Sequence, residues 1–224
     1  MFWNDCRDTT HKTRLAIGFS NPESWKKASA IFDEHTLKIC GHPVMEDWEV
    51  PYMKELAKIA TSKGGVILEV GFGMGIAASF IQQADITNHI IVEANHEVAE
   101  RARLFSKTAN STVEIKEGLW EEVIDQIPNN SVDGILFDTY PLSESEIHQN
   151  HFSFFKSAFK KLKIGGILTY YSDEIKSYHS NHWQKLIEAG FSKNNIKSKI
   201  IDVNPPADCQ YWYSKTILAP IVIK

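Results

Sequence analysis

The sequence predicts an α/β protein built on a doubly wound parallel sheet of seven strands that closes with an antiparallel hairpin. Three observations carry this. Short apolar runs alternate with stretches of helical period from residue 54 onward. A glycine-rich turn, Gly71-Phe72-Gly73-Met74-Gly75, follows the first of those runs. The last two strand-like segments, 196–203 and 211–223, have no helix between them, and so short a connection cannot make a parallel crossover.

The elements follow in order. Residues 1–53 read as an N-terminal arm whose first ~30 residues are polar and irregular. Trp25 and Phe32 give the arm something to pack with. Residues 54–224 form the regular domain. A helix over 54–62 is stopped by Lys63-Gly64-Gly65, and Val66 to Val70 is a strand apolar enough to be buried on both faces. A helix from Ile76 to Gln83, a strand at 89–93, a helix at 97–107 and a strand at 112–116 come next. A short helix near 121–126 precedes a strand at 132–137. A helix at 151–162, ended by Gly165-Gly166, precedes a strand at 167–171, and a helix at 182–189 leads to the hairpin.

The chain has 224 residues, 43% hydrophobic and 23% charged, which excludes a disordered or fibrous protein. A net charge of -4 gives no basic excess for nucleic acid. No apolar window is long enough for a membrane span or a signal peptide. Three scattered cysteines, Cys6, Cys40 and Cys209, do not make a disulfide framework, and a reducing cytoplasm is expected.

Backbone can approach a ligand closely only where side chains are absent, and Gly71, Gly73 and Gly75 sit where a strand turns into a helix. The third glycine comes one residue too early for a dinucleotide fingerprint, because position 76 is Ile. Glu69, inside the preceding strand, would repel a pyrophosphate and suit an ammonium group. S-adenosylmethionine carries an ammonium and a sulfonium and no phosphate. Glu93 ends the second strand, twenty residues beyond Gly73, where a carboxylate grips a ribose diol. Gly118-Leu119-Trp120 follows the third strand, where an adenine would lie, although Trp120 also reads as core.

Asp138-Thr139-Tyr140-Pro141 follows the fourth strand, beyond whose carboxyl end ligands of such sheets bind. An acid there can hold a cationic acceptor nitrogen and take its proton; a helix N-cap is the structural alternative. Glu46-Asp47-Trp48-Glu49 reads on composition as a solvated face beside Met45 and Met53.

These motifs together resemble the guanidinoacetate N-methyltransferase family. The resemblance is carried by Pro43-Val44-Met45-Glu46-x-Trp48-Glu49-x-Pro51-Tyr52-Met53, Lys63-Gly64-Gly65, Leu68 to Met74, and Lys116-x-Gly118-Leu119-Trp120-Glu121. Asp133-Gly134-Ile135-Leu136-x-Asp138-Thr139-Tyr140-Pro141-Leu142-Ser143-Glu144 and Pro205-Pro206-Ala207-Asp208-Cys209 complete it. Arginine δ-N-methyltransferases are similar at greater distance. The resemblance implies a Rossmann-like class I methyltransferase with an N-terminal lid, using S-adenosylmethionine to methylate a small guanidino compound, as monomer or homodimer. It implies cofactor contacts from Met45, Met53, Glu69, Gly71, Gly73, Met74, Gly75, Ile76, Ala77, Ala78, Ser79, Glu93, Ala94, Leu119, Trp120 and Asp138. Glu49 and Asp138 would clamp the guanidinium as the catalytic pair. Trp25 would close over the site and Tyr140 would line it.

One segment departs from the family. After the fifth strand the family carries Asn-Leu-Thr and a longer loop that binds the substrate carboxylate; here stands Ser172-Asp173-Glu174, with ten or so residues fewer. With Asp173 and Glu174 against the acceptor, a longer, neutral or amino-bearing tail is expected, as in arginine, agmatine or a specialised metabolite. No metal is expected: His148-x-x-His151 and His179-x-x-His182 read as surface histidines, and Cys209 as packing.

Overall fold

The computed structural model describes residues 11–224; Cys6 and the start of the arm lie outside the described residues. A seven-stranded sheet in the order β6-β5-β4-β7-β8-β10-β9 forms the centre. Its strands are β4 (Val66–Val70), β5 (Asn88–Glu93), β6 (Thr112–Glu117), β7 (Val132–Phe137), β8 (Leu162–Tyr170), β9 (Ile196–Asp202) and β10 (Thr216–Ile223). β4 to β8 pair in parallel, and β10 is antiparallel to both β8 and β9, as the helix-free connection requires.

Alternate residues of each strand bury on opposite faces. Ile67, Ile91 and Leu136 pack with helices α3 (Val50–Ala60), α4 (Ile76–Ile81) and α5 (His96–Ser106). Leu68, Val70, Ile135 and Phe137 pack with α6 (Trp120–Val123), α7 (Asn150–Lys161) and α8 (Ser180–Glu188). The strand order reverses between β4 and β7, which puts the loops after these two strands side by side.

The sequence reading understated the arm. It holds α1 (residues 11–17), α2 (Pro22–Lys27) and an antiparallel meander of β1 (Ala30–Phe32), β2 (Thr36–Ile39) and β3 (His42–Glu46). The β2–β3 turn is made by Cys40 and Gly41 at φ 52° and 79°, the two-residue hairpin geometry that ordinarily recruits Asn-Gly. Leu37, Ile39, Met45 and Trp25 join the main core cluster. α3 starts at Val50 rather than 54, because Pro51 sits in the first turn, where no N–H is missed. Gly165 and Gly166 lie within β8 instead of ending a helix, at the place where the β7–β8 register shifts. β10 begins at Thr216, so residues 211–215 are loop, and they carry Tyr211 inward.

Candidate active site

A cavity of about 310 Å³ opens at the carboxyl ends of β4, β5, β7 and β8 under the arm. The loops after β4 and β7 are locked together. Asp138 donates its N–H to the Val70 carbonyl at 2.8 Å, and a Cβ on Gly71, at φ 92°, would stand 1.8 Å from the Asp138 carbonyl oxygen. Only glycine fits there. A Cβ on Gly73 would press on Met45 Sδ at 3.0 Å, so this loop is a cradle bare of side chains.

Glu93 is fixed at the β5 end: its carboxylate accepts from Phe72 N–H at 2.9 Å and Asn95 N–H at 2.8 Å. Burial nevertheless pushes its pKa up, against those donors. Asn95 also caps α5 and donates to the carbonyls of Trp25 and Ala28. One side chain thus ties the arm to the carboxyl end of β5. Ala94, Val98, Leu119 and Trp120 complete this apolar half. Trp120 is also half core, edge-on to Phe137 and Phe154. The bare glycine cradle, the anchored carboxylate and the flat apolar wall fit the adenosine and methionine parts of S-adenosylmethionine.

The other half is acidic. Glu49, 2% exposed, is delivered by a 3-10 turn (Asp47–Glu49) just before α3. Its Oε1 accepts from the Tyr211 hydroxyl at 2.6 Å and from the Glu46 N–H at 2.9 Å. Burial, then the charge of Asp138, push the Glu49 carboxyl up to about 8. Asp138 is pushed up to about 7 by burial, then by Asp173 and Glu69. Asp173, at φ 54°, is a backbone outlier beside the site. Burial opposes its ionisation, but neighbouring His148, at 3.5 Å, holds the carboxyl well below the usual range. Trp25 stacks on Tyr140 with ring centres 5.2 Å apart, and the Tyr140 hydroxyl shares a hydrogen bond with His42 Nδ1 at 2.9 Å. Of the acids at 46–49, only Asp47 is the solvated face expected, paired with exposed His35.

The structure gathers Met45, Gly71, Gly73, Glu93, Ala94, Leu119, Trp120, Trp25, Glu49, Asp138, Tyr140 and Asp173 around one cavity. Others expected at the site stand off its wall. Glu69 shares a strand face with His89 on β5, and their side chains meet at 2.8 Å, both 0% exposed; Val70, the next residue, takes the cavity side. Met53, Ala77 and Ala78 are core under the sheet, and Met74, Gly75, Ile76 and Ser79 form the turn and first helical turn behind the cradle. Glu174 points inward, its Oε1 3.0 Å from His182 Nδ1. His148, His151 and His182 are buried rather than superficial, with Tyr170 bonded to His182 at 2.7 Å. Sequence spacing could not reveal their partners, which come from β8 and its following loop. Among the described residues, no group of three or more His, Cys, Asp or Glu is placed to hold a metal ion. Cys209 is 3% exposed in the core, and burial raises its thiol to about 11. No described helix is long and apolar enough to cross a membrane. Arg14 and Tyr211 are among the lining residues that the sequence reading did not single out. Tyr211 stands two residues after the matched Pro-Pro-Ala-Asp-Cys turn, which could have pointed to it.

Sheet order, glycine cradle and strand-end carboxylate are those of the Rossmann-like class I methyltransferase fold. Within that class, the chain belongs to the guanidinoacetate N-methyltransferase family, whose model matches residues 14–224. It is 31% identical over 136 residues to protein arginine N-methyltransferase 2 of Kluyveromyces lactis, covering 58% of this chain and 32% of that one. The Yarrowia lipolytica protein of that name is 28% identical over 186 residues, covering 75% of this chain and 38% of its own. The chain therefore spans about a third of the length of these curated relatives. Among solved structures, a spermidine synthase from Thermotoga maritima matches with a TM-score of 0.62 and 14% identity, covering 87% of this chain and 72% of that one. A SAM-dependent methyltransferase from Archaeoglobus fulgidus gives 0.50 and 13%, covering 76% and 94%. These two likenesses are of fold.

Proposed function

We propose that the acceptor is the guanidino group of a small molecule, such as guanidinoacetate or a related guanidine, held between Glu49 and Asp138. The observation that supports this most is the pair of carboxylates in one cavity, Glu49 buried and Asp138 half-buried, each with its proton affinity raised by desolvation and by other acids. Two acids that raise each other's proton affinity are relieved by a cation between them. A planar cation with forked donors satisfies both, each carboxylate taking two N–H groups.

The cofactor, when bound, supplies an electrophilic methyl on a sulfonium. The chain's residues do the rest. Glu49, steadied by Tyr211, and Asp138 fix the guanidinium plane and neutralise its charge. The acceptor nitrogen is a poor nucleophile while its lone pair is delocalised. Asp138, with a proton affinity near neutrality, is suited to accept its proton as the N–C bond forms and the C–S electron pair stays with sulfur. Trp25 and Tyr140 cover the cavity against water.

The test is mass spectrometry of products from a guanidine panel with S-adenosylmethionine, alongside Asp138→Asn and Glu49→Gln. The reading expects a gain of one methyl mass on a guanidine, lost in both variants while S-adenosylhomocysteine still binds. Full activity in both variants overturns it. The names of the fungal relatives support a second reading, an arginine side chain of a protein, so an arginine-containing peptide belongs in the panel.

A further inference from the structure

The acceptor half of the cavity contains a cation that the carboxylate clamp does not require. Arg14, in the last turn of α1 before Gly18, lines the cavity. Its guanidinium carbon lies 5.1 Å from the centre of the Tyr140 ring. Among the described residues lining the cavity it is the one basic side chain, against Glu49, Glu93, Glu121, Asp138, Glu146 and Asp173. Its Nε and Nη1 are buried from solvent and have no hydrogen-bond partner. A buried guanidinium donor without an acceptor costs free energy, so such donors in a cavity point to a ligand acceptor.

Arg14 is not consumed by the neighbouring acids. Asp173 pairs with His148, and Glu49 takes its hydrogen bonds from Tyr211 and Glu46. Arg14 nonetheless acts electrostatically on the acceptor side: its charge favours ionisation of Asp138 and Asp173. Glu174, which on sequence would repel an anionic tail, faces His182 in the interior. The cavity is therefore bipolar, with Glu49 and Asp138 deep and Arg14 at the lid.

We propose that Arg14 is a specificity-determining residue that receives a carboxylate on the tail of the guanidino acceptor. This rests on the guanidine reading above and replaces the expectation of a neutral or amino-bearing tail. A guanidinium matches a carboxylate with two parallel N–H donors. The lid thus reads the tail while the sheet reads the reacting head, in a chain whose loop after β8 is short. The methionine carboxylate of the cofactor is the other anion that could reach Arg14. The position of Arg14 on the Tyr140 and Asp173 side, beyond β7 and β8, favours the acceptor.

The test compares Arg14→Gln and Arg14→Lys with the wild type on guanidino acids and on the same guanidines lacking the carboxylate, such as arginine against agmatine. S-adenosylhomocysteine affinity is measured in parallel. In the wild type, guanidino acids are preferred. In Arg14→Gln their KM rises about 10- to 100-fold, the span of one or two charge-assisted hydrogen bonds. The KM of the carboxylate-free guanidines and the affinity for S-adenosylhomocysteine stay within about twofold. Arg14→Lys recovers part of the loss. An equal KM rise for both acceptor types, or a loss confined to cofactor affinity, overturns the role of Arg14 and leaves the guanidine reading standing. If the wild type methylates no guanidine, the guanidine reading falls and this role falls with it.

Discussion

If Glu49 and Asp138 clamp a guanidinium as proposed, closing on it must expel a definite number of protons. The Glu49 carboxyl is at about 8 and Asp138 at about 7 in the free cavity. At pH 7, Glu49 is then roughly 0.9 protonated and Asp138 roughly 0.5. The acceptor guanidinium keeps its own proton and needs both carboxylates charged. Binding should release about 1.4 protons at pH 7. Apparent affinity should improve by a few hundredfold from pH 6 to pH 8 and level off above, since each protonated acid is a competitor that disappears as pH rises. Calorimetric titration of the acceptor into the S-adenosylhomocysteine complex, in two buffers of different ionisation heat, counts these protons. In Glu49→Gln the release should fall to about 0.5, the share left to Asp138. Proton release near zero, with affinity flat between pH 6 and pH 8, refutes the electrostatic account of the clamp.

The Glu49 carboxyl also burdens the ligand-free fold. With Glu49 raised from 4.5 to about 8, the unfolded chain gives up this proton first, so the ligand-free fold loses stability as pH rises from about 5 to about 8. Glu49→Gln should therefore leave the melting temperature near wild type at pH 5 and raise it at pH 8.5, by up to about 5 kcal/mol of stability; scanning calorimetry at both pH values checks the sign. Gly71→Ala puts a methyl on the Asp138 carbonyl and should abolish S-adenosylhomocysteine binding and lower the melting temperature together. His89→Leu strands Glu69 in the core and should cost about 3–5 kcal/mol in chemical denaturation. Glu69→Gln is the companion test: if Glu69 stands off the cofactor, S-adenosylhomocysteine affinity changes by less than about threefold, and a loss beyond about tenfold would restore the cofactor contact expected from sequence.

What the sequence could show depended on whether local pattern alone fixed the outcome. β4 and β7 were legible to the residue because each is an apolar run between turn signals. Glu93, at a strand end, was placed by spacing alone. For Glu69 the structure adds a partner that spacing could not show. Its distance from the glycine turn suits a ligand contact, but the alternation of a strand sends its side chain toward His89, and that partner is visible only once β5 is laid beside β4. The arm's meander was missed because its turn is Cys40-Gly41, outside the usual turn dipeptides. The histidines of α7 and α8 looked superficial because the residues that bury them come from β8 and the loop beyond it.

Arg14 marks the remaining boundary. Nothing in residues 11–17 distinguishes its helix from a solvated one, and an arginine among polar neighbours reads as surface. Its meaning comes from three long-range facts: Arg14 lines the cavity, Tyr140 offers its ring, and Asp173 and Glu49 already have partners. The residues that bind a reacting group must sit on the rigid strand ends, where spacing is constrained and motifs survive. The residue that reads the rest of the substrate can come from any segment that folds over the cavity. A segment folded over the cavity can therefore change without altering any motif of the core, and on the guanidine reading the head-group chemistry is the part that the sequence states most openly.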